Sequence, residues 1–195
     1  FIFHYGTGLV TTVADGAITT AKLGDASVTS AKLDSGVALG KVLQVVSATK
    51  SDTYAANGGL RTFYDITGLS LSITPASTSS KILILATIHG NGDTGTSRFA
   101  FRLVRGSTAI GIGDAAGSRA RTSTRALYDA SGRSIEATSI NFLDSPSTTS
   151  ATTYKIQGYQ TEGTGSHYIN RSESDTDGAD YVRAISTITA MEIAG

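Results

Sequence analysis

Asp15-Gly-Ala-Ile-Thr-Thr-Ala-Lys-Leu23-Gly24 runs without a gap into Asp25-Ala-Ser-Val-Thr-Ser-Ala-Lys-Leu33-Asp34, two ten-residue units that match position for position. Asp15 matches Asp25, Ile18 matches Val28, Thr19 matches Thr29, and Ala21-Lys22-Leu23 matches Ala31-Lys32-Leu33. The large apolar residues Ile18, Leu23, Val28 and Leu33 therefore fall five apart. That period suits neither a helix at 3.6 nor a strand at 2, so no single regular element gathers them on one face. Two units also cannot enclose a core, because repeats bury their apolar side only against a neighbour. The economical neighbour is another copy of the chain, wound alongside, with these four residues facing a shared axis. Thr19 and Thr29 precede short Ala-Lys-Leu stretches and are candidate caps of single helical turns. Asp15, Asp25 and Asp34 suit turns between units.

Beyond residue 40 the pattern changes to strands. Val42 to Thr49 is an apolar run, followed by Arg61 to Ile66 and Leu69 to Thr74. In the last of these Leu69, Leu71 and Ile73 alternate with Ser70, Ser72 and Thr74, as in a sheet with one buried face. Phe99, Phe101 and Leu103 alternate likewise, with Arg102 on the opposite face. Arg105-Gly-Ser-Thr108 reads as a hairpin turn into Ala109 to Gly113. Further strands are expected at Ile135 to Leu143, Tyr154 to Thr161, His167 to Asn170 and Val182 to Ile193. Many short strands joined by Gly and Ser turns imply a sandwich or barrel. Lys81-Ile-Leu-Ile-Leu-Ala-Thr-Ile88 is apolar on both faces, so its second face also needs a cover. No later segment has a helical period, which leaves a second subunit as the cover.

The tandem Asp-Gly-Ala-(Ile/Val)-Thr-Thr-Ala-Lys-Leu pattern resembles the neck of fibre proteins of tailed bacteriophages. Val42-Leu-Gln-Val-Val46, Ile73 to Ile84, Phe101 to Gly111 and Met191-Glu-Ile193 resemble the head domain that follows such necks. The resemblance implies a homotrimer in the virion, joined to other virion proteins through an N-terminal domain that precedes this segment. It also implies adhesion to a host surface glycan or protein. A capsid decoration fibre with a loose adhesive role is the alternative within the class. The division expected is 1–5 as the end of a preceding domain (or a processed start), 6–40 as an extended trimeric neck, and 41–195 as the head. The fold expected for the head is an all-β, antiparallel, jelly-roll-like sandwich of the tumour-necrosis-factor or C1q kind, whose inner sheet packs about a threefold axis.

Composition agrees. With 195 residues the chain can hold one sizeable domain plus an extended segment. The absence of cysteine excludes disulfides and thiolate metal sites, leaving oligomerisation to reinforce a modest core. No apolar run approaches the ~20 residues needed to cross a bilayer, so no membrane insertion is expected. The formal net charge is zero but unevenly spread. Residues 98–133 carry seven arginines (98, 102, 105, 119, 121, 125 and 133) against Asp114 and Asp129, and the segment from 134 onward carries five more acids than bases. A balanced total argues against a nucleic-acid partner. Either the two segments neutralise each other, or the arginines line a receptor surface. Arg119, Arg121, Arg125 and Tyr128, in the long segment 113–132, are the candidate receptor contacts: the arginines for anionic groups and Tyr128 for a sugar ring.

Catalytic chemistry is thinly supplied. His4, His89 and His167 are the three histidines, and no Gly-x-Ser-x-Gly elbow accompanies them. His89 reads as a partly buried hydrogen-bonding residue and His167 as an exposed loop residue. Glu173, Asp175, Asp177 and Gly178 match positions one, three, five and six of an EF-hand loop, but position twelve is Ala184 and the match fails. A looser oxygen-ligand site in 173–180 stays open. Gly111-Ile-Gly113 lacks the strand-loop-helix unit of a phosphate fingerprint. The expectation is a non-enzymatic protein with no catalytic residues, metal or cofactor; the alternative from another class is a polysaccharide-degrading enzyme using paired acids.

Overall fold

The computed structural model describes residues 15–25, 27–29, 32, 42–56, 59–92, 98–125, 132–163 and 165–195. The chain divides into two compact units, Phe1–Leu39 and Gly40–Gly195. Phe1–Tyr5, Leu33 and Tyr128 lie outside the described residues.

In the first unit each decamer closes on itself. A single 3-10 turn spans Thr20–Lys22, with the Lys22 amide donating to the Thr19 carbonyl at 2.9 Å. The Lys32 amide donates to the Thr29 carbonyl at the same distance. The Lys22 ammonium reaches back to the Ala17 carbonyl (2.8 Å), and Lys32 reaches back to Ser27 (2.7 Å), five residues in both cases. Thr19 does not cap through its hydroxyl as expected. In so short a turn its own carbonyl already takes the inner amide. Ile18, Leu23 and Val28 are 56%, 44% and 51% exposed in the single chain.

The second unit is two antiparallel sheets enclosing one core. Its strands are β1 (Val42–Lys50), β2 (Tyr54–Ala56), β3 (Phe63–Ile73), β4 (Lys81–Gly92), β5 (Arg98–Arg105), β6 (Thr108–Ile110), β7 (Thr124–Arg125), β8 (Glu136–Asp144), β9 (Thr152–Glu162), β10 (His167–Ile169) and β11 (Ser186–Ile193). In the larger sheet β4 pairs with β8 along one edge and with β11, then β10, along the other; β1 and β2 lie outside these. The smaller sheet runs β3-β9-β5-β6, with β7 also on β5. Setting aside the short β2, β7 and β10, the remaining eight strands order as first-eighth-third-sixth and second-seventh-fourth-fifth. This is a jelly roll.

The alternation that suggested strands is the alternation that fills the core. Ile82, Ile84, Ala86 and Ile88 of β4 face Leu69, Leu71 and Ile73 of β3, Phe99, Phe101 and Leu103 of β5, and Tyr154 and Ile156 of β9, all buried. Each of the buried Leu, Ile and Phe side chains contributes roughly 1.5–3 kcal/mol by leaving water. The segments Arg61–Ile66 and Leu69–Thr74 join into one strand, β3, whose register shifts between Asp65 and Ser70. Gly68 there takes φ +90°, a left-handed value that lets the chain bulge without leaving the sheet. Gly106 (φ +58°) opens the two-residue turn of the β5–β6 hairpin. The last strand is shorter than expected, beginning at Ser186, because Val182–Ile185 carries only the isolated Arg171–Arg183 bridge.

Two polar locks close the sandwich. Buried Asp144 accepts the Tyr154 hydroxyl at 2.6 Å and the Arg105 guanidinium at 2.9 Å, tying β8, β9 and β5 together. Asn170 (φ +63°) donates its amide to the Lys50 and Asp52 carbonyls and accepts Ser186 Oγ at 2.6 Å, fixing the corner where β10 leaves the sheet.

Candidate functional site

At one end of the smaller sheet's outer face lies a cleft of about 560 Å³. Its floor is Ala100 of β5 with Tyr159 and Thr161 of β9; Ala100 and Tyr159 are direct cross-strand partners. Four arginines ring it: Arg61, Arg98, Arg119 and Arg125. Arg125 is placed by β7, where it pairs with Ala100, and Arg98 opens β5 opposite Glu162. Arg98 and Glu162 form an ion pair at 3.1 Å. Arg119 donates to the Ala116 carbonyl at 3.4 Å. Arg61 sits at φ +60°, a conformation that costs an ordinary residue roughly 1–2 kcal/mol. It is held there by the Leu60–Gln160 bridge and by its amide on the Gln160 carbonyl at 2.9 Å.

Of the candidate receptor contacts, the structure brings Arg119 and Arg125 together. Arg121 does not line the cleft; its Nε donates to the Gly113 carbonyl at 2.6 Å. Arg61 and Arg98 complete the ring. Arg61 lay outside the basic segment, and its approach depends on a bridge between β9 and a residue a hundred positions earlier. Charge neutralisation between the basic and acidic segments is partial. Arg105 meets Asp144 and Arg98 meets Glu162, whereas Asp175 is held by Arg183 (2.7 Å) within its own segment.

Beside the cleft the sheet surface is polar and tightly bonded. The Arg102 guanidinium lies 3.4 Å from the centre of the Phe63 ring, which packs 4.5 Å from Tyr159. Asp65 accepts Lys155 and Gln157 at 2.8 and 2.6 Å, and these hydrogen bonds hold its carboxyl below the usual range.

His167 is a correction: it is fully buried, because β10 turns it inward between the sheets. Its ring stacks on Phe99 at 4.6 Å and its Nδ1 is hydrogen-bonded to the Tyr64 hydroxyl. Burial pushes the imidazole down to about 4 and pushes Tyr64 up. His89 is half-buried, its amide on Ser186 Oγ and its Nδ1 on the Ile185 carbonyl. Among the described residues no group of three His, Asp or Glu side chains is placed to hold a metal ion, and no helix is long and apolar enough to cross a membrane.

The outer face of the larger sheet has a different character. Its central rows read Val45-Met191-Leu83-Leu143, then Ser47-Thr189-Leu85-Asn141, then Thr49-Thr187-Thr87-Ser139 across β1, β11, β4 and β8. None of these side chains carries a charge. Val45 and Leu143 are about half exposed, 54% and 50%.

The fold and surfaces thus describe a jelly-roll protein with one sheet face uncharged in its central rows and one arginine-ringed cleft. No family model and no curated protein matches the chain. Among solved structures it is similar to T=1 particles derived from infectious bursal virus, at 12% identity and TM-score 0.38 over 77% of this chain and 36% of that one. The structures of the Gx and Gt strains of infectious bursal disease virus give 15% and 11% identity with TM-scores of 0.34 and 0.33. Each covers 77% of this chain; the shares of those chains are 36% and 38%. The chain therefore spans little more than a third of the proteins it matches. Likeness at this level leaves the fold to rest on the strand order itself.

Proposed function

We propose that this chain is part of a trimeric virion fibre, in which a repeat neck carries a jelly-roll head that adheres to the host surface by binding rather than by catalysis. The tandem decamers, with their resemblance to phage fibre necks, supply the virion setting. The observation that carries the reading is the larger sheet's outer face: three rows of four side chains without a charge, apolar at one end. Depletion of charge is what the core of a subunit interface requires. Ile18, Leu23 and Val28, exposed in the single chain, would be covered by the same self-association. The carboxylates Asp144, Asp175 and Asp65 are engaged by basic or hydroxyl partners, which favours structural over acid–base roles. Light scattering on the purified chain tests the oligomer: a trimer at micromolar concentration is expected, and a persistent monomer sinks the reading. Imaging of virions decorated with antibody to residues 42–195 tests the setting and separates tail from capsid attachment.

A further inference from the structure

We infer that the cleft ringed by Arg61, Arg98, Arg119 and Arg125 is a binding site for an acidic saccharide, one whose sugar units carry carboxylates; this rests on the adhesive reading above and specifies its ligand. Four arginines line a single cleft. The one carboxylate lining it, Glu162, is taken by Arg98. Among the described residues no carboxylate pairs with Arg61, Arg119 or Arg125. Cations gathered in one concavity repel each other and raise the local concentration of counter-ions, so the arrangement favours occupation by an anion. Each guanidinium presents parallel N–H donors whose spacing matches a carboxylate.

Arg61 gives a second, independent reason. A residue with a side chain is forced into the left-handed backbone region, and the backbone pairing with Gln160 holds it there. Strain of this kind is retained where a side chain must be aimed, and the side chain aimed here lines the cleft.

The floor selects a sugar. Ala100 and Ala120 leave room, and the Tyr159 ring provides a flat surface with a polar edge. A cleft of about 560 Å³ accepts one or two sugar units. A single-stranded nucleic acid needs a groove that tracks many phosphates past successive aromatic platforms. This cleft has one ring on its floor, in a chain of zero net charge.

The test titrates the full chain with polygalacturonate, neutral dextran, polyglutamate and single-stranded DNA. Polygalacturonate should bind, dextran should not, and binding should weaken at least tenfold on going from low salt to about 0.5 M, where charge screening is short-ranged. Arg61→Gln, Arg119→Gln and Arg125→Gln together should weaken it at least tenfold. Ala120→Trp, which fills the cleft without removing charge, should do the same and guards against a folding defect in the triple variant. Undiminished binding in both variants, or no binding by the wild type, overturns the site. Equal affinity for polyglutamate or DNA overturns the saccharide assignment. Light scattering on the same samples keeps the two readings apart. A monomer that binds polygalacturonate sinks the fibre and leaves the site, while a trimer that does not bind sinks the site and leaves the fibre.

Discussion

The hydroxyl of Tyr64, on β3, bonds Nδ1 of His167, on β10, and so joins the two sheets through the middle of the sandwich. The hydroxyl and Nδ1 share one hydrogen between them, and the other ring nitrogen, Nε2, is buried without a hydrogen-bond partner. The site holds a neutral ring and disfavours a cation.

Stability should therefore depend on pH through His167. Its folded value of about 4 lies below the ordinary 6.5, so the unfolded chain binds the extra proton between these values. The contribution is fully present above pH ~6.5 and is lost as pH falls toward 4, by about 3 kcal/mol in total. Urea unfolding of wild type and His167→Gln across this range checks it. The difference in slope should vanish above pH ~7, and parallel curves throughout would refute it.

Gly158→Ala should loosen the same bond. Gly158 stands directly opposite Tyr64 across the β3–β9 ladder, and a Cβ there would lie 2.6 Å from the phenol carbon and hydroxyl. The ring must move away, at a cost of roughly 1–3 kcal/mol for overpacking. An unchanged urea midpoint would contradict the placement.

Tyr154→Phe removes a buried donor from a carboxylate that also holds Arg105. Hydrogen bonds to charged groups contribute about 1.5–3 kcal/mol, and a loss of that size is expected at constant m-value. Loss below ~0.5 kcal/mol would show that Arg105 alone satisfies Asp144.

Leu83→Lys combined with Leu143→Lys places charge in the apolar row of the larger sheet. The folded single chain should tolerate this, because both side chains keep contact with water. The proposed trimer should not, and light scattering should report monomers with an unchanged circular dichroism spectrum. Intact trimers would move the interface elsewhere.

The jelly roll was legible where one face of a strand is buried and the other is not: Leu69-Ser70-Leu71-Ser72-Ile73 and Phe99 to Leu103 state their orientation residue by residue. The short strands β2 and β7 were not, since three and two residues cannot display a period. His167 was misread for a related reason. Its neighbours are Gly, Ser and Tyr, and only pairing with Gly92 and Ala56 carries it inside. Three of the four cleft arginines, Arg98, Arg119 and Arg125, were visible as a cluster along the chain. Arg61 was invisible because its place is set by Gln160, and a contact between distant strands leaves no trace in local composition.

The lysine tethers of the decamers have a consequence for length. Lys22 and Lys32 each bind a carbonyl five residues back, inside their own unit, and neither tether reaches into the other decamer. Gain or loss of a whole ten-residue unit leaves every remaining tether whole, whereas an insertion between a lysine and its carbonyl separates the two. The distance such a segment spans can thus change in whole increments, by duplication alone, while the jelly roll beyond it goes untouched. On the fibre reading proposed above, reach and recognition become separately heritable.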